Sequence, residues 1–269
     1  PQEAYPQSLP VIMVSALTGQ GMDQLKECLA GLGKRQESGR RIVGDLLEPL
    51  DFAVLVVPID KAAPKGRLIL PQQQTIRDIL EAGAVSIVLK EDELAKALPA
   101  LGKKPRIVIT DSQVFGSVAK DTPEDILLTS FSILFARYKG NLGPLVKGAA
   151  ALKHIGAGDK ILISEGCTHH RQCNDIGTVK LPGWIRQYTG VEPEFHFTSG
   201  TGFPDDLSGY SLIVHCGGCM LNEREMKYRM ECAEDQGIPM TNYGILIAYT
   251  QGILKRSLEP FPEIASLLG

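Results

Sequence analysis

Short apolar runs alternate with stretches of helical periodicity along most of the chain, and this alternation constrains the fold more than any other feature. In the first half, apolar runs and helical stretches follow one another as Phe52–Ile59, Gln74–Gly83, Ala84–Lys90, residues 91–101 and Arg106–Thr110. Strands separated by helices are joined by crossover connections, which produce mostly parallel sheets. We therefore predict an α/β fold with helices flanking such a sheet.

The same alternation returns in the second half of the chain. A helix is predicted over Glu124–Gly140, after Pro123. Four apolar runs follow, with helical candidates around Trp184, over Leu221–Asp235 and from Ile245 onward; the runs are Lys160–Ser164, Glu194–Thr198, Ser211–His215 and Ile238–Asn242. The pattern predicts two consecutive α/β domains, at residues 36–120 and 121–269, after a separate segment at residues 1–35.

The segment at residues 1–35 has the pattern of one strand and one helix. Val11–Val14 are predicted to form a buried strand, and helical spacing begins at Met22 and stops at Gly33. The loop between them, with Ser15-Ala16 and Thr18-Gly19-x-Gly21, resembles the guanine-contacting end of a small GTPase domain. No Gly-x4-Gly-Lys-Ser/Thr phosphate loop occurs in the sequence, so we expect a remnant of such a domain that does not hydrolyse nucleotide.

Composition excludes several classes of protein. A net charge of −3 over 269 residues gives no electrostatic footprint for nucleic acid. No apolar run reaches the roughly eighteen residues that a membrane span requires, and no signal-peptide pattern is present. The cytoplasm is the predicted compartment, where the six cysteines are expected to be free thiols or metal ligands rather than disulfides.

Two stretches concentrate cysteine and histidine, "SEGCTHHRQCND" from Ser164 and "IVHCGGCM" from Ile213. Together they form the pattern Cys-x-His-x45-His-Cys-x-x-Cys, made by Cys167, His169, His215, Cys216 and Cys219. Each stretch follows a predicted strand, and ligands in parallel sheets gather at the carboxyl edge. We therefore expect the two stretches to lie side by side and to form one site.

The local sequence favours anions at this site. Gly217 and Gly218 give the Cys-x-x-Cys turn the backbone freedom it needs. Asn222 and Glu225 have the spacing of a capping box, which predicts a helix whose positive end lies near the thiolates.

Thiolates and imidazoles suit zinc or an iron–sulfur cluster. A redox dithiol at Cys216 and Cys219 would leave Cys167 and both histidines unexplained.

These motifs, downstream of the GTPase-like segment, resemble the [FeFe]-hydrogenase maturation GTPases, and the likeness extends over the whole chain. The resemblance implies a homodimer formed through the middle domain and a [4Fe-4S] cluster in the last domain. It implies a scaffold that carries a di-iron precursor, works with radical-SAM maturases and delivers its cargo to the apo-[FeFe]-hydrogenase. GTP would bind only to the GTPase domain, and the chain itself is expected not to be an enzyme.

The resemblance also implies roles for individual residues. Cys167, Cys216 and Cys219 would be the cluster ligands. His169 and His215 would be exchangeable ligands or hydrogen-bond donors behind the ligands, and Asp175 is a candidate for the fourth position. The alternative is a zinc protein, in which the metal is either structural or part of a hydrolase.

Other features have ordinary explanations. Those expected to be loop, packing or solvated surface residues are Cys28, Cys232, His154, His170, His196, Arg137, Lys139, Arg171 and the loop Thr198–Phe203. Cys173 is a further thiol near the first motif.

Overall fold

The computed structural model describes residues 11–32, 40–59, 68–139, 142–166, 175–218 and 221–268. The chain forms two compact units, residues 1–40 and residues 41–269. Among the described residues, no helix combines the length and the apolar character that crossing a bilayer requires.

In the first unit, helix α1 covers Met22–Leu32 and confirms the helical spacing. A loop stabilised by hydrogen bonds from Gly19 N to Ser15 O and from Thr18 N to Ser15 Oγ precedes it. The predicted strand at Val11–Val14 is wrong: these residues have no strand structure, and Val11 and Met13 are more than four-fifths exposed. A strand requires a neighbour for its backbone N–H and C=O groups, and residues 11–14 pair with no described strand.

The second unit begins with a four-stranded parallel sheet in the order β2-β1-β3-β4. Its strands are β1 (Phe52–Val56), β2 (Val85–Leu89), β3 (Ile107–Thr110) and β4 (Leu127–Ser130). Its crossover helices are α2 (Leu70–Glu81), α3 (Leu94–Ala100) and α4 (Phe115–Asp121). The central strands β1 and β3 are almost entirely buried, as continuous apolar runs in a parallel sheet should be.

Strand β4 was not predicted. Residues 124–140 were expected to be one helix, whereas Leu127–Ser130 pair with β3 and helix α5 begins only at Phe131 and ends at Tyr138. Apolar residues lie on both sides of the junction and neither glycine nor proline separates them, so periodicity does not reveal it. Ser130 marks it, because its side chain accepts the Ile133 N–H as an N-cap. The boundary predicted at residue 121 lies before β4, which is part of the first sheet.

A second parallel sheet follows in the order β6-β5-β7-β8. Its strands are β5 (Lys160–Glu165), β6 (Glu194–Ser199), β7 (Leu212–His215) and β8 (Met240–Asn242). The helices are α6 (Leu142–Ala150), α7 (Leu181–Thr189), α8 (Glu223–Asp235), α9 (Tyr243–Thr250), α10 (Leu254–Ser257) and α11 (Pro262–Ala265). Two consecutive parallel sheets flanked by helices confirm the predicted fold class.

One apolar core joins the two sheets, and a second covers the far face of the second sheet. Leu162 of β5 and Ile213 of β7 point into the shared core together with Leu134 of α5. Their neighbours Ile161 and Val214 point into the second core. This alternation buries β5 and β7 on both faces and so fixes the position of their carboxyl ends.

Candidate metal centre

The carboxyl ends of β5 and β7 lie next to each other, because the two strands are paired in parallel with Ser164 opposite His215. Cys216 directly follows β7, and Cys167 follows the last residue of β5 by two positions. The backbone N–H of Cys216 continues the ladder by donating to Ser164 O at 2.9 Å. The sheet therefore brings the starts of the two cysteine-bearing loops to one edge, as predicted.

A backbone-to-sulfur contact joins these loops. The N–H of Gly166 donates to Sγ of Cys216 at 3.0 Å. Gly166 is covalently bonded to Cys167, so the first loop meets the Cys216 sulfur at the residue before its own cysteine. A side chain at residue 166 would lie 2.6 Å from Cγ of Leu221, which explains the glycine at this point.

The turn after Cys216 supplies a second donor to the same sulfur. Gly218 has a φ of +60° and donates its N–H to Sγ of Cys216 at 3.4 Å. A Cβ at this position would lie 2.6 Å from Sδ of Met226. Two backbone N–H groups are therefore directed at the sulfur of Cys216. The Asn222 cap is also confirmed, since its side chain accepts the Glu225 N–H at 2.8 Å.

His215 is fully buried, and hydrogen bonds engage both of its ring nitrogens. Nδ1 lies 2.7 Å from Cys216 O, and Nε2 lies 3.1 Å from Nη1 of Arg229. Burial, assisted by the charges of Arg229 and Lys139, lowers the pKa of His215 to about 4, so the ring is neutral at pH 7. It then donates from Nδ1 and accepts at Nε2, an arrangement that favours orienting the Cys216 backbone over ligating a metal.

Arg229 is a residue of this site that the sequence did not reveal. Its side chain is 1% exposed, and its guanidinium contacts His215, Glu225 Oε1 at 2.8 Å and Gly200 O at 2.7 Å. It also stacks over the ring of Phe203, with Cζ 5.2 Å from the centroid. One buried cation thus ties the end of β7 to α8 and to the loop after β6. The four-residue spacing of Glu225 and Arg229 in a predicted helix was the available signal.

Lys139 was expected to be a solvated surface residue, but the structure places it against the Cys-x-x-Cys turn. Its Nζ donates to Gly218 O at 2.5 Å, so a positive charge from the end of α5 lies against the Cys-x-x-Cys turn. Arg137, also expected to be solvated, pairs with Asp45. Arg171 lies outside the described residues.

Asp175 caps a helical turn. Its Oδ2 accepts the Thr178 N–H at 2.9 Å and lies 3.2 Å from Thr178 Oγ1, at the start of a five-residue π-helical turn, Ile176–Lys180. The candidate for the fourth position therefore already uses one carboxylate oxygen to hold the chain that leaves the first loop.

Glu165 and Tyr243 form a buried polar pair that the sequence analysis missed. The hydroxyl of Tyr243 donates to Glu165 Oε1 at 3.4 Å, and Glu165 is 3% exposed. Burial raises the pKa of Tyr243 well above its ordinary value, and the negative charges of Glu165, Cys216 and Asp175 raise it further. Tyr243 is therefore a neutral hydrogen-bond donor at the carboxyl edge of the sheet.

Three of the predicted site residues, Cys167, His169 and Cys219, lie outside the described residues, as do Cys173 and His170. Within the described ranges, no three His, Cys, Asp or Glu side chains come together as a metal site. The described part of the predicted ligand set contributes Cys216 and its supporting contacts, so the complete set remains a prediction.

Models of two known domain families match this chain. Residues 42–140 match the hydrogen maturase F dimerization domain, and residues 144–260 match the hydrogen maturase F tetramerization domain. No curated protein matches the chain. A tetramerization domain was not predicted from the sequence, whereas self-association through the middle of the chain was.

Solved structures with some likeness include three proteins. Aspartate transcarbamoylase from Trypanosoma cruzi, in complex with phosphate, is 8% identical with a TM-score of 0.30, covering 87% of this chain and 91% of its own. An NtrC family transcriptional regulator from Clostridium acetobutylicum is 12% identical with a TM-score of 0.24, covering 82% and 99%. A 5,10-methylenetetrahydrofolate dehydrogenase from the silkworm Bombyx mori is 10% identical with a TM-score of 0.24, covering 91% and 94%. Likeness at this level supports no inference about the fold or function of this chain.

The two domain matches together span nearly all of the second unit, and both are named for oligomerization. The resemblance inferred from the cysteine and histidine motifs points to the same proteins. This chain belongs to the hydrogen maturase F family.

Proposed function

We propose that this chain is a scaffold and carrier in hydrogenase maturation. In this role Cys167, Cys216 and Cys219 hold a [4Fe-4S] cluster, and the protein carries a di-iron precursor to the apo-[FeFe]-hydrogenase. The observation that carries the proposal is the hydrogen bond from Gly166 N–H to Cys216 Sγ, because it draws the two cysteine-bearing loops to one point.

The described donors fit such a group. Sulfur ligands of iron–sulfur clusters commonly accept backbone N–H bonds, and Sγ of Cys216 accepts two. A cluster bound by three protein thiolates supplies one iron with an exchangeable coordination position. The position of the loops at a sheet edge supports access for a cargo, which a buried site would prevent.

The surrounding residues support the thiolates in distinct ways. His215 orients the Cys216 backbone through its carbonyl, and Arg229 fixes His215. Asp175 and His169 are the candidates for the exchangeable position. Of these, Asp175 is a capping residue in this structure, so ligation by its carboxylate would use the oxygen that does not cap.

Self-association agrees with the two oligomerization domains. The further partners in this proposal are the radical-SAM maturases that build the cargo and the hydrogenase that receives it. The proposed compartment is the cytoplasm, where thiols stay reduced. The role of this chain is binding and transfer without turnover chemistry, and GTP binding and hydrolysis belong to the GTPase domain of the family.

Anaerobic reconstitution with iron and sulfide tests the proposal. The wild-type chain should bind about four iron per chain and, when reduced, give the EPR signal of a [4Fe-4S] cluster. Cys216→Ser should lose most of the iron. The matched control is Cys232→Ser, which removes a half-buried thiol from α8.

The zinc alternative predicts a different result in the same experiment. A colourless site that binds one zinc per chain and refuses iron would contradict the proposed carrier role. Equal iron binding by wild-type protein and Cys216→Ser would contradict the ligand assignment.

A further inference from the structure

The end of helix α5 is held in place from two directions. Arg137 forms an ion pair with Asp45, and its Nη1 lies 3.0 Å from Asp45 Oδ1. The guanidinium also stacks on the ring of Phe261, with Cζ 4.9 Å from the centroid. These contacts fix the last turn of α5 within the segment that matches the dimerization domain, residues 42–140.

Lys139 follows this anchored turn and reaches the Cys-x-x-Cys motif. Its Nζ donates to Gly218 O at 2.5 Å, and that carbonyl belongs to the peptide bond leading into Cys219. Gly218 O also accepts the N–H of Leu221 at 3.1 Å, while the Gly218 N–H points to Sγ of Cys216. Lys139 therefore holds Gly218, which lies between the two cysteines of the motif and accepts the Leu221 N–H.

We propose that Lys139 is a positioning residue of the metal centre: it holds the Gly217–Gly218 turn and places a positive charge beside the cluster ligands. Its effect on a bound cluster rests on the proposed function, whereas its effect on the turn does not. The residue comes from the dimerization segment and acts on the segment that matches the tetramerization domain. The properties of the cluster then depend on how the two segments are packed.

The expected direction of the charge effect follows from electrostatics. Reduction adds an electron to a cluster that already carries negative charge with its thiolates, and a nearby cation stabilises the reduced form more than the oxidised form. Removing the charge of Lys139 should therefore make the reduction potential more negative. Lys139 is partly buried, so solvent screens its charge less than it screens that of an exposed lysine.

The test compares wild-type protein with Lys139→Met, Lys139→Arg and Lys147→Met. Lys147→Met is the matched control, since it removes one positive charge from an exposed site on α6. Hydrogen–deuterium exchange of the metal-free protein reports on the turn. Potentiometric titration of the reconstituted protein, followed by EPR, reports on the charge.

We expect Lys139→Met to exchange at least several-fold faster at residues 216–218 and to shift the potential to a more negative value. Lys139→Arg should restore most of both properties, and Lys147→Met should match wild type. Unchanged exchange in Lys139→Met would overturn the positioning role. Faster exchange with an unchanged potential would overturn the charge role. If wild-type protein binds no cluster, the proposed function fails while the exchange comparison still decides whether Lys139 holds the turn.

Discussion

Gly166 donates its backbone N–H to Sγ of Cys216 across 3.0 Å, although 50 positions separate the two residues in the sequence. The contact exists because β5 and β7 are paired in parallel and end at the same edge. This hydrogen bond brings both loops to the sulfur of Cys216, and the proposed metal centre depends on it.

The two glycines of the Cys-x-x-Cys turn should respond differently to alanine. Gly218 has a positive φ and faces Sδ of Met226, whereas nothing lies within 4 Å of a Cβ at Gly217. Gly218→Ala should lower the free energy of unfolding by about 1–3 kcal/mol and reduce iron retention. Gly217→Ala serves as the control and should stay close to wild type in urea denaturation. Equal effects of the two substitutions would mean that the turn lacks this geometry.

Arg229→Met should destabilise the protein strongly. The substitution removes a buried cation from three partners, among them Gly200 O and Nε2 of His215. We expect a loss of about 2–4 kcal/mol in the free energy of unfolding. Arg224→Met, an exposed change on the same helix, should cost less than about 0.5 kcal/mol. A loss for Arg229→Met as small as that of the control would contradict the role assigned to Arg229.

Tyr243→Phe should weaken the buried pair with Glu165. The phenol is a neutral donor to a carboxylate that is 3% exposed, so its removal should lower the free energy of unfolding by about 1–2 kcal/mol. The matched control is Tyr138→Phe, because that side chain is 38% exposed. If thermal unfolding of the two variants is the same, the hydrogen bond contributes nothing measurable.

The ion pair between Asp45 and Arg137 should give the stability a pH dependence at acidic pH. Burial alone raises the pKa of Asp45, but the hydrogen bond and the charge of Arg137 outweigh it, and the pKa lies below 3.8. A carboxyl group whose pKa is lower in the folded state stabilises the protein above its unfolded pKa and loses that contribution as the pH falls through its folded pKa.

Asp45→Asn should therefore be less stable than wild type by about 0.5–1 kcal/mol at pH 7, a value that reflects the partial exposure of the pair. The difference should shrink as the pH falls below about 3.8 and the wild-type carboxyl group is protonated. Urea denaturation of both proteins over this pH range measures the difference. A gap that widens on acidification would contradict the assignment.

Much of the second unit could be predicted because β5 and β7 have apolar centres, Ile161–Ile163 and Leu212–Val214, and end before polar loops. Periodicity located these strands within about one residue, and parallel pairing then placed His215 and Cys216 at the correct edge. Periodicity failed for Leu127–Ser130, where neither glycine nor proline separates strand from helix. It also failed for Val11–Val14, which have no described partner strand.

The supporting residues of the site could not be predicted in this way. Lys139 reaches Gly218 across 79 positions, and Arg229 reaches Gly200 across 29. Such contacts depend on how helices pack on the sheet, and a single sequence carries no periodic signal for them. The family match identified the domains, while the contacts of Gly218 and His215 came only from the structure.

Disulfide trapping between residues 167 and 216 tests the convergence of the two loops most directly. In a variant with Cys28, Cys173, Cys219 and Cys232 all changed to serine, mild oxidation should convert Cys167 and Cys216 to an intramolecular disulfide, detected by peptide mass spectrometry. The account predicts nearly complete conversion under native conditions. Two thiols that stay reduced in the folded protein and pair only after denaturation would contradict it.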